Sequence, residues 1–536
     1  MKTIYKLLLV LAFLQTGIQL KAQTKISEEL VAKTMLKATE YMVQNVSTNG
    51  GYVWTYSPDL SRQWGEMEAY KSMIWLQHPG TISMGHLFLD AYHTTQNDYY
   101  YQAAQKAAAA VIQGQSSEGG WNYMVDFKGE ESLKQWYNTI GKNGWRLEEF
   151  QHYYGNSTFD DDVTSDAARF LLRMYLEKKD LVYKPALDKS IEFVLKSQYL
   201  NGGWPQRYPL KEGFSKKGFP DYTGFYTFND DVIWENIHFL IQCYVVLGEK
   251  RFLEPIHKGM DFYKKSQDKS GAWGQQLNMK MEVASARTYE PAAFLPSATC
   301  ENALLLLKFY QFTGDKQFLE GVPKAIHWLE KAALPNNKIE GNRTHPTFVE
   351  VKTNKPIYVH RKGSNVKFGS YYVDYNDTNL LSHYYGKAHI ELQELKEEYM
   401  RVSKLSLEEA IKESPLPAKQ LNHKESMEQY YDLNRYDFSF KPEESKISEI
   451  INTLDEQNRW LTNRVYISNP YIGDGKNEVQ THKYATTKVG DETDTSPYNN
   501  TGNQKYISTG EYISNMRMLL NYIQYNTANK KVQIKI

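Results

Sequence analysis

Apolar residues along this chain recur at helical rather than strand spacing. Leu187, Ile191, Val194 and Leu195 fall at i, i+4, i+7 and i+8, and the run ends at Gln198. Ala167, Phe170, Leu171, Met174 and Tyr175 make another stripe, as do Ile233, Ile237, Leu240, Ile241 and Tyr244. The strict alternation of a half-buried strand is rare. Between such stripes stands a short phrase: Gly50-Gly51-Tyr52, Gly119-Gly120-Trp121, Gly202-Gly203-Trp204 and Gly271-Ala272-Trp273, with aromatic positions stepping by 69, 83 and 69 residues. The unit is helix, Gly-Gly-aromatic turn, long loop, helix. Helix pairs repeated at this period stack into a solenoid or close into a ring. The expected fold is all-α: an incomplete α/α toroid of repeated helix pairs, with the long loops on one face.

Domain boundaries follow from where the pattern starts and blurs. Lys2 and Lys6, the apolar run Leu7 to Leu14 and Lys21-Ala22-Gln23 read as a cleaved export signal over 1–22. That run is too short to span a membrane. The toroid is expected over 23–400 and a polar connector over 401–445. Over 446–536 a degenerate copy appears, with Trp460 after one helix and Ile513, Met516, Leu520 and Ile523 in another. It either completes the ring or forms a small C-terminal module.

Charge narrows the function. Lys plus Arg and Asp plus Glu are 63 each, so no net basic field attracts nucleic acid. Aromatic content of 14% favours ring stacking on planar or sugar-like ligands, or a Tyr-rich core. Cys243 and Cys300 both lie in apolar helix-like segments, so buried free thiols are expected. Signatures of serine hydrolases, zinc proteases and phosphate loops are missing from the sequence.

The candidate chemistry lies in a second repeated phrase. Thr158-Phe159-Asp160-Asp161-Asp162-Val163 returns as Thr227-Phe228-Asn229-Asp230-Asp231-Val232, 69 residues on. Acids ahead of a helix serve as caps, but capping needs one acid, not three in a row. Clustered carboxylates repel, and oxygen ligands in a loop suit calcium. Both readings stand at this point. The third turn lacks the acids; Ala286-Arg287-Thr288-Tyr289-Glu290-Pro291 precedes it instead, delivering Arg287 to the acid face as an ion-pair partner or a carboxylate clamp. Arg207, Lys211, Lys216 and Lys217 crowd the loop between Trp204 and Asp230. His360-Arg361-Lys362-Gly363 offers a second set of donors. Together these would draw in an anionic polymer, or they form a solvated surface. Asp491, Glu492 and Asp494 make a further acidic loop, read as polar surface rather than a second calcium site.

Taken in order, Gly202-Gly203-Trp204-Pro205-Gln206-Arg207-Tyr208-Pro209, Thr227-Phe228-Asn229-Asp230-Asp231, Gly271-Ala272-Trp273-Gly274-Gln275-Gln276, Ala286-Arg287-Thr288-Tyr289-Glu290-Pro291 and Thr353-Asn354-Lys355-Pro356-Ile357 before Arg361 resemble the pectate lyases of polysaccharide lyase family ten. The resemblance covers about residues 100–375. It implies an α/α toroid that cleaves polygalacturonate by calcium-dependent β-elimination. It implies Asp160, Asp161 and Asp230 as the Ca2+ and substrate-carboxylate site, and Arg287 as the base that removes the C5 proton. Arg361 is implied as a substrate-carboxylate ligand, and Trp204, Arg207, Asp231 and Lys362 complete the expected substrate-binding set. A guanidinium is normally protonated, so a base role needs a lowered pKa, which a crowded positive site beside Ca2+ would supply. The sequence departs from the family in three places: Asp161 stands for the usual Asn, Arg361-Lys362-Gly363 for Arg-Asp-Gly, and the expected second Arg pair after Phe368 is missing. The expected protein is an exported monomer, secreted or periplasmic, with no membrane span and no nucleic-acid partner. Two rivals are an inverting glycoside hydrolase using Asp160 and Asp230 as acid and base, and a non-catalytic pectin-binding protein.

Overall fold

The computed structural model describes residues 26–143, 147–211, 213, 220–362, 370–378, 380, 385–416, 422–434, 440–463 and 505–534. The export signal expected at 1–22, Lys216, Lys217 and the acids Asp491, Glu492 and Asp494 lie outside the described residues, as do the side chains of Arg361 and Lys362.

Helix pairs build the ring. In chain order they are α1 (Glu28–Tyr41), α2 (Thr81–Thr95), α3 (Asp98–Gln113), α4 (Glu130–Thr139), α5 (Val163–Lys178), α6 (Lys184–Ser197), α7 (Val232–Leu247), α8 (Leu253–Ser266), α9 (Pro296–Thr313), α10 (Val322–Ala332), α11 (Leu392–Val402), α12 (His423–Asn434), α13 (Glu444–Thr453) and α14 (Thr509–Ile534). Helices α2, α5 and α7 are buried on nearly every side, whereas α3, α6 and α8 bury one stripe. This is the difference between the inner and outer layers of a two-layer ring. Inner helices pack side by side, α2 on α5 and α5 on α7, and each also packs on its following outer helix. The architecture is an incomplete α/α toroid. Helix α14 packs against α1 and α2, and Tyr506–Ser508 pairs with Thr55–Tyr56, so the described C-terminal residues meet the first turn of the ring. Among the described residues no helix is long and apolar enough to cross a membrane. Cys243 and Cys300 are buried free thiols.

The Gly-Gly-aromatic phrase has two jobs. Its aromatic pins the turn to the outer helix: the indole N–H of Trp121 donates to Val111 O at 2.7 Å and that of Trp204 to Val194 O at 2.9 Å. Trp460 makes the same bond to Ile450 O at 2.8 Å, again ten residues back. The first glycine lets the next outer helix come close. Gly202 sits at φ +109, and a Cβ there would lie 2.0 Å from Lys258 O on α8; Gly119 meets Lys189 O on α6 in the same way, at 2.3 Å. A Gly202→Ala variant combines a backbone clash with a disfavoured φ, and is expected to lose about 2 kcal/mol or more of stability. Thermal melts checked against the parent chain measure this loss.

Short antiparallel pairs stitch the loop face. Ser157–Thr158 pairs with Arg207–Tyr208, Tyr226–Thr227 with Gln276–Leu277, and Ala293–Phe294 with Phe348–Glu350. Each pair joins the loop of one turn to the next, which brings residues from three repeats together. The longest hairpin is Pro356–Lys362 with Ser370–Asp374; it places Arg361 opposite Tyr371 and Lys362 opposite Ser370.

Candidate active site

The two acid phrases fold alike, and the aspartates are not helix caps. Asp161 and Asp230 share φ 49 and ψ 37, and Asp162 and Asp231 follow in the left-handed region at φ 59 and φ 55. Neither α5 nor α7 receives a side-chain cap from its preceding aspartate. Non-glycine residues held there cost on the order of 1 kcal/mol each, a cost concentrated at functional sites. The two turns pack on each other.

Asp160 is the fixed centre. It is fully buried; its Oδ1 accepts from Gln206 Nε2 at 2.8 Å, and its Oδ2 accepts from Tyr123 Oη at 2.5 Å and Arg287 Nη2 at 3.3 Å. Burial disfavours its charge, but Arg287, Tyr123, Asp230 and Gln206 outweigh burial and hold the carboxyl below its usual pKa. Asp161 and Asp230 differ from it. Both are open to solvent, yet surrounding protein and neighbouring carboxylates push both pKa values well up. For Asp161 the pressure comes from its surroundings, then Asp160 and Glu66; for Asp230 it comes from its surroundings, then Asp160 and Asp161. Water at these groups moderates the repulsion without reversing its sign. Asp230 also lies within hydrogen-bond reach of Asp160, and the Asp161 carboxylate accepts from Gln77 Nε2.

Arg287 closes the group from the third turn. It is 6% exposed, and its guanidinium is held on three sides: Nε donates to Glu149 Oε2 at 2.9 Å, Nη1 to Glu290 Oε1 at 3.2 Å and Nη2 to Asp160 Oδ2. Burial alone would lower its pKa, but Glu149 and Glu290 drive it well above the usual arginine value. The expectation of a lowered pKa is therefore reversed in the metal-free arrangement, because carboxylates rather than cations crowd the guanidinium.

The other expected substrate residues are placed differently from the sequence reading. Trp204 is fully buried with its indole bonded to α6, so it is core and offers no face to a sugar. Arg207 is 1% exposed and lies beneath the site rather than on a basic surface. Its guanidinium lies 4.5 Å from the Tyr154 ring centre and 5.2 Å from that of Tyr123, and Nη1 reaches Asn122 Oδ1 at 3.4 Å. It supports the tyrosine that holds Asp160. Lys211 Nζ donates to the carbonyls of Tyr154 and Gly155, bracing that loop. Asp231 is exposed, but its charged neighbours are Glu235 and Glu301, which with burial push its carboxyl up to about 6. An acid among acids repels a uronate carboxylate, so any contact of Asp231 with substrate would be to neutral hydroxyls. Asp160, Asp161, Asp230 and Arg287 are the residues brought together.

The sequence reading passed over the residues that hold these four. Gln206 and Glu290 stood inside the motifs already singled out. Glu148 and Glu149 sit in Leu147-Glu148-Glu149-Phe150, two acids framed by apolar residues, a pattern that signals buried charge. Glu66 and Gln77 come from the first turn of the ring and carried no signal.

The donor chemistry suits a hard divalent cation. Asp161 and Asp230 offer solvent-facing oxygens whose ionisation is resisted by mutual repulsion, and Asp160 retains acceptor capacity beyond its present bonds. As they stand, no group of three or more His, Cys, Asp or Glu side chains among the described residues closes into a ligand shell.

The family described as pectic acid lyase matches residues 126–240. No curated protein matches. Among solved structures, a mutant family 10 polysaccharide lyase from Cellvibrio cellulosa in complex with trigalacturonic acid is 16% identical, covering 66% of this chain and 98% of its own, with a TM-score of 0.34. The GH76A α-1,6-mannanase of Salegentibacter is 10% identical, covering 93% of this chain and 100% of its own, with a TM-score of 0.34. At these scores the structural likenesses carry no argument, whereas the matched segment holds both aspartate phrases. Residues 126–240 match the pectic acid lyase family, and that match supports a polysaccharide lyase.

Proposed function

We propose that the protein is exported and cleaves polygalacturonate by calcium-dependent β-elimination, leaving unsaturated oligogalacturonides. The observation that carries this reading is the convergence of three aspartates from two matching left-handed turns on a buried arginine from the third. In such a reaction the C5–H bond breaks to a base, a double bond forms between C4 and C5, and the C4–O bond releases the departing chain. The C5 proton lies α to a carboxylate, so its removal needs positive charge at that carboxylate and a base beside C5.

Asp160, Asp161 and Asp230 are assigned to hold Ca2+. When bound, the ion would neutralise the uronate carboxylate and make the C5 proton more acidic. Asp160 is kept ionised by Tyr123, Gln206 and Arg287, so one ligand is ready before any ion arrives. Arg287 is assigned to the C5 face, where its guanidinium is fixed against Asp160. Acting as the base requires it first to give up a proton against the pull of Glu149 and Glu290. Arg361 and Lys362, at the end of the long hairpin, are assigned to outer uronate carboxylates. The export signal assigned to 1–22 fits a polymer too large to enter a cell.

Mass spectrometry of the digestion products tests the chemistry. Oligogalacturonides lighter by one water than their hydrolytic counterparts are expected. Products of full hydrolytic mass would replace this reading with the inverting hydrolase.

A further inference from the structure

Among the described residues Glu149, Glu290 and Asp160 pair with the Arg287 guanidinium, and the contacts are not equivalent. Glu290 lies three residues along the same turn, and its Oε2 also accepts from the Arg287 backbone N–H at 2.8 Å, so it moves with the arginine. Asp160 belongs to the proposed cation and substrate site, where its surroundings change on binding. Glu149 comes from a segment 138 residues earlier in the chain. It is the contact among these three that anchors the guanidinium independently of its own loop and of whatever Asp160 holds.

Its neighbour completes the anchor. Glu148 Oε2 accepts from the Thr288 backbone N–H at 3.0 Å, and Glu148 Oε1 accepts from the Thr288 hydroxyl. Two consecutive glutamates therefore grip two consecutive residues, Arg287 by its side chain and Thr288 by both its backbone N–H and its hydroxyl. The grip has a rigid base. Phe150, next in the chain, is buried, with ring centres of Tyr123, Trp75 and Trp136 at 5.1, 5.6 and 5.9 Å. Tyr123 is also the tyrosine that bonds Asp160. One aromatic cluster thus sets the position of both the fixed aspartate and the arginine clamp.

Burying acids in this way is costly. Glu148 and Glu149 are each 6% exposed, and burial, only partly offset by Arg287, pushes the Glu149 carboxyl up to about 7. A purely structural link would be made more cheaply by an apolar contact.

We propose that Glu149, backed by Glu148, is the positioning residue that orients the Arg287 guanidinium toward the Asp160 face for proton removal. The proposal rests on the lyase reading and adds to it a part that the repeat does not supply. Small displacements of a reacting group cost about 100-fold in rate. Glu149→Ala is accordingly expected to lower kcat on polygalacturonate by about 100-fold with KM within about 3-fold, because substrate binding is left in place. Glu149→Gln keeps an oxygen that accepts from Nε and should recover most of the rate, to within about 10-fold of the parent. Thermal melts of both variants identify a folding failure, in which case Glu149→Gln alone decides.

A second readout needs no substrate. Phenylglyoxal labelling followed by peptide mapping should label Arg287 faster in Glu149→Ala than in the parent, as the released guanidinium becomes reachable. Parental kcat in both variants, or an unchanged Arg287 labelling rate, would overturn the clamp. A parent chain inactive on polygalacturonate, with labelling still accelerated in the variant, would overturn the lyase reading and leave the clamp standing.

Discussion

Replacing Arg287 by alanine is expected to reduce kcat on polygalacturonate by about 1,000-fold or more, the scale for loss of a positioned acid-base or electrostatic group. The variant also leaves Glu149, Glu290 and Asp160 without their shared cation. Uncompensated buried carboxylates raise their own pKa and destabilise the fold. The rate should therefore be read with a melting curve at the same pH. Arg287→Lys restores a charge but not a fork with three separate edges, so it should recover stability better than rate. An Arg287→Ala variant with parental kcat would remove the arginine from the chemistry.

The second large effect is on stability, and it runs against the usual direction. Asp161→Asn and Asp230→Asn are each expected to raise the melting temperature of the metal-free protein near neutral pH while abolishing its response to calcium. Both carboxyls have pKa values raised in the folded state. The sign follows from linkage. A group with a raised folded pKa contributes its stability fully below the unfolded value, about 4, and loses it as pH rises through the folded value. The parent should thus lose stability relative to these variants as the metal-free solution is taken from acid toward pH 8. The difference should close below about pH 4, where the carboxyl is neutral in both the folded and the unfolded chain. Calcium should raise the melting temperature of the parent and much less that of the variants. Asp160→Asn should behave differently. Its carboxyl is held down, so its stabilising contribution is present above the unfolded pKa and is lost as pH falls. Differential scanning calorimetry across pH, with and without calcium, reads all three.

How much of this was legible in the residues depends on repetition. The helix pairs, the Gly-Gly-aromatic turns and the doubled aspartate phrase were readable because each recurs at a fixed period. The departure at the third turn pointed to Arg287 for the same reason. Trp204 departs from the substrate-binding role expected with the resemblance, because its indole N–H is used to tie the turn to α6. Arg207 was misread because a run of basic residues suggests solvent, while tyrosines 53 and 84 residues earlier cover this one. The capping reading of the acids fails on backbone angles that residue type does not reveal. Glu149 belongs to no repeat. Its importance lies in what surrounds Arg287 in space, and that accounts for the reversed direction of the arginine's pKa.

The most direct test of the account is near-UV absorbance of polygalacturonate incubated with the purified protein, first with calcium, then with a chelator, then with calcium restored. The account predicts a steady rise from the unsaturated uronate, its arrest by the chelator and its return with calcium. Chain cleavage in calcium with no rise in absorbance would contradict it.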